Sequence, residues 1–260
     1  MQPESESESE TPVSPPARDP ARPGGGPWRL KINWARLAIE TLAIVASILF
    51  AFSIDAWWEK LSDRKRLDSA LVNLRVELQS NLAMIERFGK LHQEIVDAGQ
   101  ALLDGKASDT RVDELGKVFV SGWVTDYSTG ALEIVLGNTR LDLLEDDALR
   151  AAIVALPARY EDALEDEQWA IERLMQTWVP YISTVFPVAS LWDVALPGLA
   201  FPVSEDLDEA EFQRIAGSLE FRNHVTNRIG FELLSIVAQR ELREALESTI
   251  TKIEAAVGRT

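Results

Sequence analysis

Hydrophobic and polar positions divide the chain into three regimes. Residues 1–33 open with MQPESESESETPVSPPARDP, in which glutamate alternates with serine before proline and glycine take over. Such a segment buries too little apolar surface to offset the entropy of ordering, so a disordered tail is expected. Residues 37–60, LAIETLAIVASILFAFSIDAWWEK, are almost continuously apolar. Beyond them apolar residues recur at three- and four-residue spacing: Leu67, Leu71, Leu74, Leu78, Leu82, Ile85, then Leu91 or His92, and Ile95. That is an amphipathic helical stripe, and no proline interrupts residues 36–105. The pattern predicts a helix over 36–58 that continues into a long amphipathic helix over 59–104.

The remainder, 110–187, reads as shorter helices. DGKASD ends the long helix, and TRVDELGKVFVSGW follows with Thr110 as N-cap and Glu114 in the first turn. STGALEIVLG predicts a helix ending at Gly137, and LLEDDALRAAIVAL one that breaks at Pro157. ARYEDALEDEQWAIERLMQTWVPYISTVF reads as a longer helix kinked at Pro180. Pro187, Pro197 and Pro202 mark 187–206 as an irregular connection. DEAEFQRIAG and a long helix over 218–257, with Gly230 as a weak point, complete the chain. Strand signals are nearly absent. The expected fold is all-α: one N-terminal transmembrane helix, its amphipathic continuation, and a helical bundle over 59–260 with coiled-coil character.

The apolar run has the length of a membrane span. Its 22 residues from Leu37 to Trp58 reach roughly 33 Å, against a hydrocarbon core of about 30 Å. Only Glu40 and Asp55 are ionisable within it, each within about one turn of an end. Trp28 and Trp34 precede the run and Trp57 and Trp58 close it, the placement of interfacial anchors. A signal peptide is not expected, because IDAWWEK stands where a small-residue cleavage site would be needed. Charge does not orient the span, since Arg22, Arg29, Lys31 and Arg36 on one side balance Lys60, Arg64, Lys65 and Arg66 on the other.

Net charge is −16, yet residues 1–36 balance five acids against five bases, so nearly all the excess lies beyond the span. A domain this acidic repels phosphate, which argues against nucleic acid as a partner. With no cysteine, disulfides, thiolate metal sites and cysteine nucleophiles are excluded.

Candidate chemistry is sparse. The two histidines, His92 and His224, lie at or beside apolar helix faces without H-x-x-x-H or H-E-x-x-H spacing, as expected of structural histidines. Glu145, Asp146 and Asp147 precede a helix, where acids complement the dipole, and Glu165, Asp166 and Glu167 read as a helix surface. Nucleophile, phosphate-loop and dinucleotide motifs do not occur. The chain is therefore expected to have no catalytic, cofactor or metal residues. Trp123, Trp169, Trp178, Trp192, Tyr127, Tyr160 and Tyr181 are expected in the core.

The informative pattern lies in the span. Glu40, Ala43, Ser47, Ala51 and Asp55 are spaced 3, 4, 4 and 4, forming one helical stripe with small residues between two carboxylates. Small residues let helices approach closely in lipid. A single span has no second span of its own to meet, so the stripe points to a copy of the chain or another membrane protein.

The stretch from Ile39 to Leu82 resembles the N-terminal signature of an uncharacterised bacterial single-span membrane protein family, a domain of unknown function. Glu40, Ile54, Trp57 and Glu59 match its glutamate and I-x-x-W-x-E pattern, and Glu77, Leu78 and Asn81 its E-L-x-x-N segment. Leu141, Leu143, Leu144, Asp146, Leu149 and Arg150 match an L-x-L-L-x-D-x-x-L-R helix. The chain departs from the family where Ala46 or Ser47 replaces a glycine and Asp55 or Ala56 an asparagine. The resemblance implies inner-membrane anchorage with a cytoplasmic N-terminus and an exported helical domain, and brings no known activity. Two functions are carried forward: an interaction or assembly module associating through the span, and a sensor whose exported domain binds a ligand or protein.

Overall fold

The computed structural model describes residues 34–105, 111–195 and 208–258. The expected tail over 1–33 with Trp28, the Thr110 cap, and residues 196–206 of the expected connection lie outside the described residues. Helix dominates, and no strand occurs among the described residues. The elements are α1 (Trp34–Asp104), α2 (Arg111–Phe119), α3 (Gly130–Asn138), α4 (Asp147–Arg173), α5 (Val179–Val185), α6 (Val188–Ala195), α7 (Glu209–Ala216) and α8 (Leu219–Val257). The chain divides into two units, Met1–Asp55 and Ala56–Thr260.

In the first unit every described residue is exposed, and among the described residues α1 is the one helix long and apolar enough to cross a membrane. An 18-residue window of it has a mean hydropathy of 2.3 with none of the window buried. Its hydroxyls are satisfied along the helix: Thr41, Ser47 and Ser53 donate to the carbonyls of Leu37, Ala43 and Leu49 at 2.8–2.9 Å. Serine and threonine hydroxyls bond back to the i−4 carbonyl in this way within helices.

In the second unit the buried positions of the long helices alternate in steps of three and four. On α4 and into the turn that follows it they are Leu149, Ile153, Leu156, Tyr160, Ala163, Glu167, Ala170 and Leu174. On α8 they run Phe221, Val225, Arg228, Glu232, Ser235, Gln239, Leu242 and Leu246. This is the heptad seam of close-packed helices. One apolar cluster joins Leu67 to Ile85 of α1 with α3, the first half of α4 and the last half of α8. A second joins Ala98 and Leu102 of α1 with α2, Trp178, Ile182, α7 and the start of α8. Gly99 permits close approach of α1 and α8, because a Cβ there would meet Ile229 Cγ1 at 2.7 Å.

Helix starts follow local chemistry. Asp146, Asp208 and Ser218 accept from backbone amides in the first turns of α4, α7 and α8.

Three sequence expectations are corrected. Helix α4 does not break at Pro157 but runs through it. Proline costs a helix interior about 3 kcal/mol. Here Pro157 is exposed, while Ile153, Leu156 and Tyr160 around it are buried, each contributing about 1.5–3 kcal/mol. The disturbance attributed to Pro180 appears as a π turn over Leu174–Trp178, where the Val179 amide donates to the Leu174 carbonyl. The connection expected over 187–206 includes α6, because Leu191 packs into the second cluster.

Candidate functional site

Between the two apolar clusters lies a layer of buried charge. His92 of α1, Glu167 of α4, and Arg228 and Glu232 of α8 are each no more than 2% exposed. His92 Nδ1 is 2.5 Å from Glu232 Oε2, and its Nε2 faces Glu167 Oε1 at 3.9 Å, a charge contact too long for a hydrogen bond. Arg228 pairs with Glu232 at 2.9 Å and donates to the Ser121 carbonyl at 2.7 Å. Glu167 accepts from the Thr125 amide at 2.6 Å, the Thr125 hydroxyl at 2.9 Å and Gln239 Nε2 at 2.6 Å. Trp178, on the π turn, covers the Arg228 guanidinium at 4.9 Å.

Electrostatics follow from this enclosure. Burial works against the imidazolium of His92, but the Glu167 and Glu232 carboxylates outweigh it and raise the group to about 9. Burial likewise pushes the Glu167 carboxyl up, while bonds from its neighbours hold it below the ordinary value. Arg228 is lowered by burial, with Glu232 opposing, yet a guanidinium stays charged. The layer thus holds two positive and two negative charges, and solvent does not reach them. His224 is separate: half-buried, stacked on Tyr181 at 4.1 Å between ring centroids, with burial lowering its basicity.

Glu77, Asn81, Asp146 and Arg150 hold backbone. Glu77 accepts from the amides of Ala131 and Leu132 at 2.7 and 3.0 Å, capping α3 from α1. Asn81 donates to the Ser128 carbonyl at 2.7 Å and to the Tyr160 hydroxyl at 2.8 Å, and accepts from the Ser128 amide at 3.0 Å. Leu78 is buried beside them. Asp146 caps α4, and Arg150 donates to the carbonyls of Leu141 and Leu144. The loop over 121–129, of which Ser121, Thr125 and Tyr127 are buried, thus finds side-chain partners for backbone groups at Ser121, Thr125 and Ser128.

Glu40, Ala43, Ser47, Ala51 and Asp55 share a helical face and are all exposed; Arg36 Nε donates to Glu40 at 2.9 Å. Trp34, Trp57 and Trp58 are exposed too, and the last two stack edge-on at 5.5 Å. Of the aromatics expected inside, Trp178, Tyr127 and Tyr160 are buried and Trp123, Tyr181 and Trp192 half-buried. Trp169 is corrected: it is 50% exposed, because it falls between the buried positions Glu167 and Ala170 of the α4 seam. Two grooves flank it, one of about 690 Å³ between α3 and α4 and one of about 460 Å³ beside Phe231 and Leu234. Among the described residues no group of three or more histidine or acidic side chains is arranged to hold a metal ion.

Sequence reasoning missed the charged layer, although α8 signals it. Arg228, Glu232, Ser235 and Gln239 occupy four consecutive seam positions where apolar residues stand before and after. Comparison with protein-family models, curated proteins and solved structures finds no match to the chain.

Proposed function

We propose that the chain is a single-span, inner-membrane-anchored protein whose acidic helical domain serves as an interaction or assembly module, associating through Glu40, Ala43, Ser47, Ala51 and Asp55. The observation that carries this reading is the first unit of α1, an apolar helix with every residue exposed. Such a surface needs lipid, another helix, or both to cover it. Carboxylates at the two ends of the stripe lie where they reach water, and Trp57 and Trp58 lie where interfacial anchors belong. In this reading the N-terminus is cytoplasmic and the helical domain exported, as the family resemblance implies. The reading gives the chain a non-catalytic role, and in its support the histidine–carboxylate group of His92, Glu167 and Glu232 is buried away from solvent.

The experiment combines membrane extraction with crosslinking. The full chain should remain in the membrane pellet through an alkaline carbonate wash, and should crosslink to a copy of itself or to a membrane partner. Leucine at Ala43, Ser47 or Ala51 should weaken that crosslink while leaving the chain in the pellet. Variants that associate like wild type would sink the stripe, and release by carbonate would sink the anchor. A periplasm-only reporter fused after residue 260 should be active.

A second reading, a sensor whose helical domain binds a ligand, is favoured by the groove beside Trp169.

A further inference from the structure

The groove between α3 and α4 combines three features. Its volume of about 690 Å³ falls in the range of small-molecule sites. Leu132, Leu136 and Leu164 give it an apolar wall, so it is not simply an acidic patch. Trp169 lines it with an indole left half in water, where a residue of this size normally buries most of its surface.

Charge decides the chemistry of the occupant. Glu133, Glu161 and Glu165 line the groove, and among the described residues no lysine or arginine does. Glu133 accepts the Thr129 hydroxyl at 3.0 Å, a neutral donor that leaves its charge uncompensated. An anion would be repelled. A neutral apolar molecule would leave the carboxylates partly desolvated with nothing in return. A cation gains from the carboxylates and from the face of the indole, and an apolar body attached to it gains from the leucines.

We infer that this groove binds an amphipathic organic cation, with its ammonium group held by Glu161, Glu165 and the Trp169 ring and its hydrocarbon or aryl body against Leu132, Leu136 and Leu164. The inference deepens the sensor reading and rests on it. Membrane retention and crosslinking through Ala43, Ser47 and Ala51 involve none of these residues, so failure of the groove and failure of the anchor are read separately.

The test uses the full chain in lipid nanodiscs and benzyltrimethylammonium, a permanent cation that partitions poorly into lipid, with empty nanodiscs as the blank. Calorimetric titration should show saturable binding that weakens as salt rises. The Glu161→Gln/Glu165→Gln double variant and Trp169→Ala should each weaken it by about tenfold or more, and Trp169→Phe by less. These side chains are exposed, and unchanged helicity by circular dichroism checks that the variants fold. Changing two exposed acids of α8 outside the groove, Glu244→Gln/Glu247→Gln, should leave binding unaltered, and benzenesulfonate should not bind. The proposal is overturned by the absence of saturable binding or by equal binding to the double variant. It is equally overturned if benzenesulfonate binds, or if only a synthetic lysine- and tryptophan-containing helical peptide binds and the small cation does not.

Discussion

His92 and Glu232 share a 2.5 Å hydrogen bond across the core although 140 positions separate them in sequence. This contact ties α1 to α8 at the level of the charged layer, and it makes the stability of the helical domain depend on a proton. His92 also faces Glu167 of α4, while Glu232 is held from its own helix by Arg228.

Stability should fall with rising pH. The folded value of His92 is about 9 against an ordinary 6.5, so the folded state binds the proton more tightly than the unfolded chain does. The resulting stabilisation is complete below pH 6.5 and is lost as pH rises through 9. Its upper bound is about 3 kcal/mol, from 1.36 kcal/mol for each pH unit. Urea unfolding followed by circular dichroism between pH 6 and 9 should show the loss, and His92→Gln should flatten it. An equal slope in that variant would remove His92 as the cause.

Single removal of a layer charge should cost more than removal of the whole layer. Glu232→Leu leaves Arg228 and His92 buried without their acceptor, and should destabilise by about 3–5 kcal/mol. Replacing His92, Glu167, Arg228 and Glu232 together with Leu, Leu, Met and Leu removes the uncompensated charge. Its loss should be smaller than that of Glu232→Leu alone, even though Thr125 and Ser121 lose partners. Denaturant midpoints of the two variants decide the matter: a fourfold variant weaker than the single one would mean the layer is a net source of stability.

Asn81 should behave as a keystone for the 121–129 loop. It is fully buried and makes three bonds, two to the Ser128 backbone and one to Tyr160. Asn81→Ala should cost about 1–3 kcal/mol, since it leaves the buried Tyr160 hydroxyl and the Ser128 backbone without their partner. Asn81→Asp keeps the acceptor for the Ser128 amide, and the Tyr160 hydroxyl can turn to donate to it, but it sets a carboxylate against the Ser128 carbonyl, which needs a donor, and should be no better. Tyr160→Phe, which removes one bond, should cost less than either.

Much of this architecture is legible in periodicity. The leucines from Leu67 to Leu78 fix the buried face of α1, and the same three-four spacing carries α8 from end to end. Proline misled the reading twice. At Pro157 the packing of the residues around it outweighs a local breaker, and in place of the kink expected at Pro180 a π turn stands just before it and buries Trp178. The charged layer was hidden by chemistry rather than spacing. Arg228 and Glu232 look like an exposed (i, i+4) pair, and only the seam phase of α8 shows that they point inward. Glu167 was hidden likewise, since Glu165 and Asp166 before it lie on the surface side of α4. Trp169 erred in the opposite direction, because size alone does not put an aromatic inside.

Because the layer cuts across α1, α4 and α8, it partitions the domain's cohesion into two blocks. Each block holds its own leucines and aromatics, and the charges between them are the groups with most to gain from hydration. A thermal fluctuation that parts the helices there wets four ions at once while leaving most apolar contacts on either side intact. The domain is thus built with a seam, and amide exchange along α1, α4 and α8 should read as two separately protected segments on either side of it.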